Sequence, residues 1–180
     1  MKKIKTLCLL LITILFIGCR EKMTINDNYT KIVEYSSQTS WGMVEDFYEL
    51  HLCVNNNNTI EIYGTFDENG IEIDYIDGII VNITEEEKNE IISIINKNNY
   101  MTIPNNVGTK SSDGSYHYLR FYDESGDIIK ECSGLNPTNK RFCNIEESIS
   151  KCVSKEDIEL AKENIKKVVH EEFEKKYENI

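Results

Sequence analysis

Proline is scarce in this chain, 2 residues in 180, and no Pro-rich or Gly/Ser-rich linker interrupts it. With no internal repeat either, the sequence predicts a single domain with one boundary, near residue 29. Basic residues are also short: 20 Lys+Arg stand against 31 Asp+Glu, a formal net charge of −11. Affinity for nucleic acid rests on Lys and Arg neutralising phosphates, so nucleic acid is excluded as a partner. G-x-S-x-G, the P-loop, G-x-G-x-x-G and C-x-x-C do not occur. The most readable signatures of hydrolases, nucleotide sites and thiol-held metals are therefore missing. The longest apolar run, Leu7 to Ile17, falls short of the roughly 20 residues that a transmembrane helix needs.

What is present starts with MKKIKTLCLLLITILFIGC. Lys2, Lys3 and Lys5 precede the apolar run, the pattern of a secretory signal. The lysines hold the N-terminus on the cytoplasmic side. Phe16-Ile17-Gly18-Cys19 resembles the lipobox of bacterial lipoproteins, with Phe16 where that family favours leucine. The resemblance implies a diacylglyceryl group on the Cys19 thiol, cleavage before it, and a fatty acyl chain such as palmitate on the new amine. One chain binds a membrane marginally, and two or three anchor it stably. The expected organisation is a signal peptide over 1–18, lipidated Cys19 with a polar spacer to residue 28, and a domain over 29–180. That domain would stand on the extracytoplasmic side of the cell membrane. Removing the 18-residue signal with its three lysines leaves 162 residues, 17 Lys+Arg against 31 Asp+Glu, a net charge of −14. Such a domain avoids lying on anionic lipid, so the membrane is met through the lipid alone. In an ordinary secretory signal or an uncleaved anchor, Cys19 would be incidental.

Six cysteines occur. Cys8 leaves with the signal and Cys19 carries lipid, so Cys53, Cys132, Cys143 and Cys152 remain. An even number in an exported chain fits two disulfides, in one of three connectivities. Four free thiols are the alternative. Cys143 and Cys152 would flank a helix of about nine residues, roughly 13 Å long. A disulfide needs Cα atoms within about 7 Å, which disfavours pairing Cys53 with Cys132 by elimination.

Patterning predicts an α+β domain: antiparallel hairpins, helices on one face and a long C-terminal helix. Tyr29–Tyr35 reads as a first strand. Phe47–Val54 alternates, with Tyr48, Leu50, Leu52 and Val54 facing one way and Glu49, His51 and Cys53 the other. Asn55–Asn58 supplies a turn into Thr59–Phe66, and Asp67–Gly70 a turn into Ile71–Tyr75. Thr84 and Glu87 form a capping box for a helix ending near Asn98. Tyr116–Tyr122 and Ile128–Cys132 make a second hairpin. Asn144 is placed as the cap of a short helix, and Ser154 with Asp157 opens the last one, whose apolar stripe runs to Phe173. Its outer face carries Glu163–Lys167, Glu171–Lys175 and Glu172–Lys176 pairs.

Several local patterns imitate chemistry. The turns around Gly70 and Gly126 fail as calcium loops, because their first and last positions are Thr65 and Ile76, and Phe121 and Cys132. His170-Glu171-Glu172-Phe173-Glu174 lacks the second histidine of a zinc helix. Ser148-Ile149-Ser150-Lys151 stands without its companion motifs. His51 and Cys53 share a strand face but would need His117 or Cys132 to hold a metal, and neither a metal nor a cofactor is expected. Trp41, the sole tryptophan, stands near Met43. With Tyr116, His117 and Tyr118 it forms the candidate binding surface. An ordering of elements over residues 30–152 resembles uncharacterised small exported lipoprotein domains and is loosely similar to small bacterial inhibitors of metallopeptidases. The expected function is a non-enzymatic binding module for an unidentified protein or small molecule. The alternatives are a peptidase inhibitor, a structural envelope protein whose last helix assembles with its own copies, or a hydrolase using Asp113, His117 or Asp123.

Overall fold

A computed structural model describes residues 22–39, 47–111 and 113–177. The signal segment, Cys19, Trp41 and Met43 lie outside the described residues. Six strands appear: β1 Lys31–Thr39, β2 Glu49–Asn55, β3 Thr59–Glu68, β4 Ile71–Asn82, β5 Ser115–Tyr122 and β6 Ile128–Leu135. Among the described residues three helices follow the meander and the second hairpin: α1 Glu85–Lys97, α2 Lys140–Ser150 and α3 Lys155–Tyr177, with a 3-10 turn at Tyr100–Thr102. The strands form one sheet in the order β4-β3-β2-β1-β5-β6, antiparallel throughout. The fold is therefore α+β. β1 joins the meander to the second hairpin, with β2 on one side and β5 on the other.

The alternation of side chains sorts the sheet into two faces. Val33 and Tyr35, Leu50, Leu52 and Val54, Ile60, Ile62 and Phe66, and Leu119 and Phe121 are buried in one cluster. Ile91 and Ile95 of α1, Phe142, Ile145 and Ile149 of α2, and Ala161, Ile165 and Val169 of α3 complete it. All three helices thus pack on one face. α3 docks where β3 and β4 lack side chains: a Cβ on Gly64 would stand 2.8 Å from the Ile165 side chain. Among the described residues, no helix is long and apolar enough to cross a membrane.

Local chemistry explains the element ends. Thr84 and Glu87 form the predicted capping box on α1, and Ser154 and Asp157 exchange bonds at the start of α3. Among the described residues, Asn58, Asn69, Asn99 and Asn136 are the non-glycine positions with positive φ. Asparagine tolerates that region because its short polar side chain bonds locally.

Four expectations are corrected. β4 runs to Asn82, well past Tyr75, because register shifts against β3 let a less regular sequence stay paired. α2 begins at Lys140 with Asn139 as its cap, accepting from the Arg141 and Phe142 amides. Asn144 lies within that helix and donates to Asn98 instead. On α3, Glu172 pairs with Lys175, while Lys176 bonds the Asn69 and Gly70 carbonyls. The segment expected as a spacer is part of the fold. Met23 is only 4% exposed. Its amide donates to Asn96 Oδ1 at 2.7 Å and its carbonyl accepts from Asn96 Nδ2 at 3.0 Å. Further on, Asn56 donates to the Asn26 carbonyl.

Candidate functional site: the helix-free sheet face

The other face of the sheet, on which no helix of the described residues packs, carries a polar network between β5, β1, β2 and β3. Glu34, 2% exposed, is its centre. One carboxylate oxygen accepts from Arg120 Nη1 at 2.8 Å and faces His51 Nδ1 at 3.1 Å. The other accepts from the Tyr63 hydroxyl at 2.7 Å and the Tyr122 hydroxyl at 3.0 Å. These positions converge because Glu34 pairs across the sheet with Arg120 on one side and Cys53 on the other. Burial opposes ionisation of Glu34, but the bonds from His51, Tyr63 and Arg120 outweigh it and hold its pKa down to about 2. The same charge, with burial as the larger cause, pushes the Tyr63 and Tyr122 hydroxyls up. Cys53, buried beside Glu34, is pushed up to about 12, chiefly by desolvation.

Arg120 also reaches Glu49 at 3.4 Å and Glu131 at 2.9 Å, and its guanidinium lies 4.7 Å above the Tyr118 ring. Ser36 donates to Glu49. His51 stacks on Tyr63 at 4.4 Å between ring centres, and Tyr63 stacks on Tyr75 at 5.1 Å. Tyr75, 48% exposed, ends that stack and donates to Glu61 at 2.6 Å.

Glu34, His51 and Thr65 are connected as carboxylate, imidazole and hydroxyl, with His51 Nε2 3.1 Å from Thr65 Oγ1. Acyl transfer would also require donors aimed at a developing oxyanion. Here Glu49 sits 3.8 Å from His51 Nε2, and its charge opposes an oxyanion. The Arg120 cation that could offset it is already engaged by Glu34, Glu49 and Glu131. The network orders the face, and its guanidinium is shared among three carboxylates.

At the end of this face where β1 finishes, Gln38, Phe47, Glu68, Gly114, Tyr116, Tyr118 and Leu135 line an open cleft of about 430 Å³. Tyr116 is 38% exposed, and its ring meets the Tyr118 ring at 5.0 Å.

The structure divides the predicted surface. Tyr116 and Tyr118 share the cleft, whereas His117 points to the helix face, where its Nδ1 lies 2.8 Å from the Tyr35 hydroxyl and 3.4 Å from Glu146. The period of two in a strand forces that separation. Asp113, His117 and Asp123 do not converge. Asp113 precedes β5 and Asp123 follows it, roughly 30 Å apart at a strand's rise per residue, and Asp123 is bound within its own turn by Ser125 and Asp127.

His51 and Cys53 lie on the opposite face from His117 and Cys132, which rules out the metal constellation considered for them. All four of Cys53, Cys132, Cys143 and Cys152 are free thiols. Cys53 faces the polar network while Cys132 packs in the helix-side core, with the width of β1 and β5 between their strands, so no bridge joins them. The residues missed from sequence were Glu34 and Arg120. The available signal was a charge of each sign within otherwise apolar strand alternations.

No known protein family matches the chain, and no curated protein matches it either.

Proposed function

We propose that this chain is a lipid-anchored, non-enzymatic binding module of the bacterial cell envelope, held by acyl chains on Cys19 and binding through the helix-free face of its sheet. The observation that carries the binding half is the cleft of Tyr116, Tyr118, Phe47 and Leu135, on a face whose buried charges, Glu34 and Arg120, are engaged with each other. Rigid aromatic side chains offer large contact area with little entropy to lose, and they recur where binding energy concentrates. An apolar cleft with a few polar groups, here Gln38 and Glu68, suits a small molecule or a protruding side chain of a protein. The anchoring half rests on Phe16-Ile17-Gly18-Cys19 following a short apolar run.

Two measurements test the halves separately. Cys19→Ser in the producing bacterium should release the protein from membranes and leave its signal uncut; retention with unchanged processing rejects the anchor. Tyr116→Ala should lose a ligand captured by the wild-type domain from native envelope while melting near the wild-type temperature, and Tyr118→Ala should lose the same ligand. Capture that is indifferent to both rejects this face.

A further inference from the structure

The position at which the chain enters the fold orients the domain. Cys19 and Met23 are four residues apart, a reach of at most about 14 Å for an extended chain. Asn96 clamps Met23 through both backbone groups. Three residues later, Asn26 is held at the β2–β3 turn by Asn56 and at the β5–β6 turn by Glu124. The chain then turns into β1 at Lys31, at that same end of the sheet. β1 runs away from it for nine residues, about 26 Å at a strand's rise. Its far end carries Gln38, which pairs with Tyr116 and lines the aromatic cleft.

We propose that the domain stands on a tether too short to let it tumble freely, with the β2–β3 and β5–β6 turns next to the lipid headgroups and the aromatic cleft facing away from the bilayer. The inference rests on acylation at Cys19, as proposed above. It deepens that reading by naming the kind of partner: one approaching from the aqueous side, soluble or fixed to the wall, rather than one embedded in the same membrane. The end nearest the tether carries charge of both signs, Asp27, Glu124 and Asp127 with Lys22, Lys31 and Lys88, so attraction to anionic lipid does not hold it down and the tether sets the distance.

The test uses the full-length acylated protein inserted into preformed phosphatidylcholine–phosphatidylglycerol vesicles that carry a fluorescent acceptor on the headgroups. A fluorescent amino acid is placed at Asn57, in the β2–β3 turn, or at Asp113, beside the cleft end of β5. Energy transfer from position 57 should exceed that from position 113 at least twofold. Equal or reversed transfer in protein that floats with the vesicles overturns the orientation and leaves the anchor standing. Protein that does not float overturns the anchor and this inference together. Inserting 12 Gly/Ser residues between Glu21 and Lys22 should lower transfer from position 57 while flotation persists, because such a linker is a flexible coil. Unchanged transfer would mean that the domain adheres to lipid directly, and would overturn the short-tether account.

Discussion

Arg120 and Glu34 face one another across the β1–β5 pair, with guanidinium Nη1 2.8 Å from the carboxylate. The pair sits on the helix-free side of the sheet, yet Glu34 is as inaccessible as the core. Tyr63, Tyr122 and His51 close over it. A buried charge persists only when its partners are complete.

Removing the carboxylate should therefore cost more than an ordinary surface change. Glu34→Ala leaves the half-buried Arg120 cation, two tyrosine hydroxyls and an imidazole without their common acceptor. A loss of about 3–5 kcal/mol is expected, the range for breaking a buried pair by deleting one partner. Urea unfolding followed by far-ultraviolet circular dichroism measures it. A loss under 1 kcal/mol would show that the network contributes little to folding.

The same group sets a pH dependence. Glu34 has a folded pKa of about 2 against an ordinary value of 4.5. The folded state therefore binds this proton less readily than the unfolded chain. Its stabilising contribution is complete above pH 4.5 and is lost as the pH falls towards 2, about 3 kcal/mol in all. The gap in unfolding free energy between wild type and Glu34→Gln should narrow as the pH falls from 4.5 towards 2.

Thiol chemistry reports on the two faces. Cys53 and Cys132 are fully buried, and desolvation raises both thiols; only the thiolate reacts. Iodoacetamide applied to the folded protein at pH 8 should spare both. Half-buried Cys143 and Cys152 should react slowly, and all four should react in urea without a reductant. Mass spectrometry of peptides reads the result, and a cysteine blocked in urea until reductant is added would reveal a bridge.

Much of this architecture was legible because single strands and helices announce themselves. The alternation of Leu50, Leu52 and Val54, the box at Thr84 and Glu87, and the stripe of Ala161, Ile165 and Val169 each depend on neighbours a few residues away. The sheet order was not. Nothing local in Lys31–Thr39 states that β1 will lie between β2 and β5, and it is this placement that sets Glu34 beside Arg120, 86 residues on. Met23 escaped for a related reason, since its burial depends on Asn96 and on no pattern of its own. Conversely, His117 was grouped with Tyr116 and Tyr118 by proximity along the chain, although a strand's alternation already separates them. Trp41 and Met43, the other half of that surface, lie outside the described residues.

Thr65 discriminates between the binding module and an enzyme built on Glu34 and His51. Its hydroxyl lies 3.1 Å from His51 Nε2, and it is the nucleophile that an enzyme built on Glu34 and His51 would have to use. Thr65→Val keeps the side chain's shape and strand preference and removes that hydroxyl. In a binding module the change loses one hydrogen bond, about 1 kcal/mol, and lowers the melting temperature by about 2–4 °C. Ligand capture through Tyr116 and Tyr118 should survive, because the cleft is lined by other side chains. In a hydrolase the same change would abolish turnover outright. Calorimetry, capture from native envelope and an ester-hydrolysis assay on the two proteins separate the cases. Hydrolysis by wild type that disappears in Thr65→Val would make the acid–imidazole–hydroxyl array catalytic and reject the binding reading of this face.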